Sequence, residues 1–70
     1  MYDIVDHDGD NLVGSYGTEE EALDMICRTI RRSGRDRVRQ FELFDGHGRV
    51  AKGAALARRA LNAAPAKRSA

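Results

Sequence analysis

The side chains with the greatest chemical reach in this 70-residue chain are two histidines, one cysteine, a group of aspartates near the start and a run of arginines past the middle. His7 and His47 are the candidates for general acid–base work, because imidazole changes charge near neutral pH without special tuning. Neither stands in a motif with a nucleophile. Cys27 falls at the margin of an apolar helical stripe, where a cysteine serves as a small hydrophobe. Ser15 and Ser33 belong to no motif, and the glycines stand singly instead of forming a phosphate-cradling loop. With no nucleophile, base and orienter in one pattern, the sequence assigns no catalytic residue and an enzyme is not expected. No cofactor is expected either.

Asp6, Asp8 and Asp10 have the 1, 3, 5 spacing of oxygen ligands in a calcium loop. The sixth place, which should be glycine, is Asn11, and the twelfth, which should be a bidentate acid, is Gly17. Asp, Gly and Asn together are also what a tight turn uses, so the segment reads as a hairpin turn and not as a metal site.

Arg28, Arg31, Arg32, Arg35, Arg37 and Arg39 are the best case for binding an anionic partner, since clustered guanidinium groups can track phosphates. Arg58, Arg59, Lys67 and Arg68 would extend such a patch. Aromatic residues are only 6% of the chain, and the aromatic motif of an RNA-stacking sheet is missing from Val38 to Phe44. The plainer reading pairs Asp24 with Arg28 along a helix and leaves the rest as a solvated face.

The net charge of +1 conceals a division of the chain. Residues 1–24 hold eight acids and no Lys or Arg, and residues 25–70 hold twelve bases against three acids. Such asymmetry points to a charged partner, which nucleic acid, an acidic protein or a second copy of the chain would satisfy. One cysteine closes no internal disulfide and rules out the usual cysteine zinc site, which suits a reducing compartment. No apolar run approaches the roughly 18 to 20 residues that span a bilayer, and residues 1–3 begin no basic and apolar leader. A cytoplasmic location without membrane attachment is expected.

The elements that must position these groups follow from periodicity. Tyr2 to His7 and Leu12 to Tyr16 flank an Asp-Gly turn and form a hairpin. Thr18 caps a helix, with Glu21 completing a capping box. From Glu19 to Arg32 the apolar residues Ala22, Leu23, Ile26, Cys27 and Ile30 fall within about 140° of arc, a core-facing stripe. Acids in its first turns and arginines in its last complement the macrodipole, and Gly34 suits the left-handed position that ends it. After a basic loop at Arg35 to Arg37, a third strand is expected from Val38 to Phe44, with Phe41 and Leu43 on one face and Val38 and Phe44 on the other. Asp45 to Gly48 turns the chain into a fourth strand, Arg49 to Lys52. A second helix is expected from Ala54 to Ala64, stopped by Pro65.

The order β-β-α-β-β-α predicts an α+β fold: a single antiparallel sheet of two β-hairpins with the first helix packed on one sheet face. Residues 1–64 form the one domain and residues 65–70 a flexible tail. Apolar residues on both faces of the third strand need cover on both sides, from the last helix or from a second chain. A homodimer is therefore expected, with a further protein partner open.

Thr18-Glu19-Glu20-Glu21-Ala22-Leu23 and the segment from Phe41 to Val50 carry a T-x-x-E-A-[LI] helix start and a late D-G-x-[GR] turn. In these, residues 2–52 resemble small bacterial hairpin-helix-hairpin domains of unknown function. The first hairpin and helix are also similar to the HicB-like antitoxins of the HicAB class. The aromatic-Pro-aspartate segment of those antitoxins and their DNA-binding tail motif are missing, so the resemblance transfers no functional residue. It implies the same fold and a non-catalytic binding or regulatory role. Nucleic-acid binding through the basic half is the alternative.

Overall fold

A computed structural model of the chain describes residues 1–9 and 11–68, with the side chains of 64–68 outside the description. Strand β1 (Tyr2–Asp6) leads into a turn where Gly9 has φ 112°, and β2 (Asn11–Tyr16) returns antiparallel to it. The turn is held by Asp6, whose Oδ1 accepts the Asp8 N–H at 2.9 Å.

Helix α1 (Glu19–Ser33) begins at Thr18, whose Oγ1 accepts the Glu21 N–H at 3.1 Å. The returning half of the expected capping box differs, because the Glu21 carboxylate accepts from the Thr18 hydroxyl at 3.4 Å and not from the backbone. Gly34 ends the helix at φ 87°, a conformation costly for any residue with a Cβ, and donates its N–H to the Ile30 carbonyl at 2.7 Å.

The expected strand from Val38 to Phe44 is corrected at its start. Residues after Gly34 form a single helical turn, α2 (Arg35–Val38), and the strand β3 runs Phe41–Asp45. The Arg37 N–H reaches the Gly34 carbonyl and the Arg39 N–H reaches that of Asp36, each at 3.3 Å. Tertiary packing overrides the strand preference of Val38, which is fully buried in the core. Asp45 Oδ1 then accepts the N–H groups of His47 and Gly48 at 2.7 and 3.1 Å, turning the chain into β4 (Gly48–Lys52). Helix α3 (Gly53–Arg68) follows at once, which corrects the expected span of Ala54 to Ala64: it begins one residue earlier and Pro65 does not end it. Ser69 and Ala70 lie outside the described residues.

The fold is α+β, with element order β-β-α-α-β-β-α and one four-stranded antiparallel sheet ordered β2-β1-β3-β4. Ile4 lies opposite Gly14 and Leu43, and Leu43 opposite Ala51, which defines the face that meets the helices. Ile4, Ile26, Val38, Leu43 and Leu56 are the largest fully buried side chains, so β1, α1, α2, β3 and α3 share one core. Each edge strand carries a bulge, at Val13 and Val50, and both residues pack against that core. Helix α3 therefore lies beside α1 on the same face and leaves the opposite face of the sheet without cover among the described residues.

Candidate functional site

Strand alternation sends the residues between the core positions to the uncovered face. The register sets them in two rows across the strands. One row is Leu12, Val5, Glu42 and Lys52, and the other is Ser15, Asp3, Phe44 and Arg49. Val5 and Phe44 are half-buried, and Leu12 is 62% exposed, unusual for a large aliphatic side chain. The expected second apolar face of β3 is thus corrected: Val38 sits in α2, and Phe44 shares the uncovered side with Glu42.

Glu42 is the polar centre of this face. It is only 4% exposed, accepts from Arg49 Nη1 at 3.0 Å and pairs with the His7 imidazole. A buried carboxylate needs such partners, since leaving it alone would cost several kcal/mol. Sequence reading picked out His7 as a free-standing candidate base and passed over Glu42. The register makes the connection, because Glu42 faces Val5 and the His7 N–H donates to the Gln40 carbonyl at 2.7 Å. At the far rim Ser15 Oγ donates to Asp3 at 2.7 Å. The face has an acid on its β1 side and Arg49 and Lys52 on β4.

The other candidates are dispersed. His47 is exposed in the second hairpin turn. Cys27 is buried, its thiol donating to the Ala60 carbonyl at 3.2 Å across the α1–α3 contact. In the aspartate turn Asp6 points inward, taking the Asp8 N–H on one oxygen and Arg37 Nη2 at 3.0 Å on the other. The backbone hydrogen bond from Asp8, with Arg37 adding to it, holds the Asp6 carboxyl below the usual carboxylate range. Asp10 lies outside the described residues, and among the described residues no group of three acids, histidines or cysteines is placed to hold a metal ion.

The six arginines divide. Arg28, Arg32 and Arg37 come together along a groove of about 320 Å³ whose apolar wall includes Val13, Met25 and Phe41. Arg31, Arg35 and Arg39 are exposed and do not line it. Among the described residues three of the six have acidic partners: Arg28 with Asp24 at 3.0 Å, Arg37 with Asp6 at 3.0 Å and Arg39 with Asp36 at 3.8 Å. On α3, Arg59 Nε donates to Glu19 at 2.5 Å. Part of the division of charge along the chain is thus satisfied inside the fold, where Asp6 and Glu19 from the acidic segment meet Arg37 and Arg59 from the basic one.

No protein-family model, curated protein or solved structure matches the chain. No helix among the described residues is long and apolar enough to cross a membrane.

Proposed function

We propose that the protein is a small non-catalytic binding or regulatory module that pairs with a second copy of itself through the uncovered sheet face. The observation that carries this reading is the crowding of α1, α2 and α3 on one side of the sheet, with Val5, Leu12 and Phe44 left on the other. Covering that face removes apolar surface from water at about 25 cal/mol per Å². A two-fold axis along the strands lays the β1–β2 half of one copy on the β3–β4 half of the next. That sets the Asp3 side against the Arg49 and Lys52 side, so the charges help to fix the orientation. Cys27, the single cysteine of the chain and buried, closes no internal disulfide and suits the reducing cytoplasm.

Nucleic-acid binding is the second reading, favoured by Arg31, Arg32 and Arg35, which are exposed and make no ion pair among the described residues. The pairing of Arg28, Arg37 and Arg39 with carboxylates weighs against it, because those acids repel phosphate. The two readings part in their response to salt. Apolar association persists or strengthens as salt rises, whereas phosphate contacts weaken steeply. Light scattering of untreated protein at about 0.5 M salt, where the Debye length is only a few Å, is expected to give twice the 7.7 kDa chain mass and an absorbance ratio free of nucleic acid. A monomer at that salt that co-purifies with nucleic acid at low salt contradicts the first reading and supports the second.

A further inference from the structure

The groove between β2 and the second half of α1 is a surface distinct from the uncovered sheet face. Its wall is made by Val13, which the bulge in β2 turns toward the core side, and by Met25 and Phe41. Its rim is made by Arg28, Arg32 and Arg37. An apolar wall beneath converging guanidinium groups suits a ligand that is both anionic and apolar, and the volume is that of a small ligand site. We propose that this groove binds an acidic peptide segment, with one apolar side chain against Val13 and Met25 and flanking carboxylates on the arginines.

The rim has donors to spare. A guanidinium has five N–H groups, and the ion pairs of Arg28 and Arg37 each use one terminal nitrogen, Nη2. Arg32 makes no ion pair among the described residues, so a carboxylate can meet it in the bidentate geometry that arginine favours. Arg37 is held in place by Asp6 and by the Phe41 ring, whose centroid lies 4.9 Å from the guanidinium carbon, so little side-chain entropy is lost on binding. Peptide is favoured over nucleic acid because Phe41 is only 2% exposed and presents no open ring for a base to stack on. Asp6 and Asp24 also stand behind two of the three arginines. A short acidic peptide can set one carboxylate on Arg32, the rim arginine with no ion pair among the described residues, whereas a phosphate backbone draws its affinity from several contacts in a row.

The test is fluorescence anisotropy with a labelled peptide of sequence Glu-Glu-Leu-Glu-Glu. Controls are the same peptide with Ser for Leu, a Lys-Lys-Leu-Lys-Lys peptide and a ten-nucleotide oligothymidylate. The Glu-Leu peptide is expected to bind saturably, and both Arg32→Glu and the Ser peptide are expected to weaken binding at least about ten-fold. Arg32 is exposed, and an unchanged melting curve for the variant establishes that its fold is intact. Leu12→Asp, on the opposite side of the sheet, is expected to leave peptide affinity unchanged, so this inference and the self-association reading fail separately. Four results overturn the proposal: no saturable binding, equal binding of the lysine peptide, indifference to Arg32→Glu, or tighter binding of the oligothymidylate, which would assign the groove to nucleic acid.

Discussion

Replacing Ile26 by Ala is expected to destabilise the fold by about 2 to 4 kcal/mol, measured by urea denaturation at fixed protein concentration. Ile26 is fully buried at the centre of the α1 stripe, in the core cluster that also holds Ile4, Leu43 and Leu56. Truncation removes three carbons from contact with these neighbours and leaves a cavity that helices fixed at both ends close only partly. A chain of 70 residues has a small reserve, since domains of this size are stable by roughly 0.05 to 0.15 kcal/mol per residue. The loss is a large fraction of the roughly 3.5 to 10.5 kcal/mol that this range gives for the chain. A loss under about 0.5 kcal/mol, the range of ordinary surface changes, would mean that α1 does not face the sheet.

Leu12→Asp is expected to leave the folded protomer within about 1 kcal/mol of wild type and to weaken self-association by at least about 100-fold. Leu12 is already 62% exposed on an edge strand, so the protomer gives up little packing. In a two-fold interface the substitution acts twice. Each copy loses about 1.5 kcal/mol or more of apolar burial, and each aspartate must also be desolvated. The dissociation constant from sedimentation equilibrium measures this directly. An unchanged constant with a folded variant would place the contact elsewhere on the molecule.

The parts of this architecture that a sequence reader can see are those fixed by local rules. The first hairpin follows from the Asp-Gly step, where Gly9 takes a positive φ, and α1 follows from Thr18, the Ile26 stripe and Gly34, with the Glu21 half of the capping box departing from its expected role. The break between α2 and β3 was hidden because Val38 is β-branched and shares the strand period of Phe44, and only its burial in the core with α1 and α3 shows why it is helical. Glu42 was hidden for a similar reason. A charged residue between Phe41 and Leu43 reads as solvent-facing, and its burial depends on His7 and Arg49, which lie 35 and 7 residues away in the chain. The six arginines were legible as a cluster but not as a groove. A bulge at Val13 and the turn that carries Arg37 over Phe41 decide which three converge.

The uncovered sheet face is the centre of this account, and isotope-filtered NMR on a mixture of labelled and unlabelled copies tests it most directly. Nuclear Overhauser effects that cross between copies are expected among the Phe44 ring and the methyl groups of Val5 and Leu12, with none from the exposed side of α1. A dimer whose cross-copy effects are confined to the helices, or no cross-copy effect at millimolar protein, would contradict it.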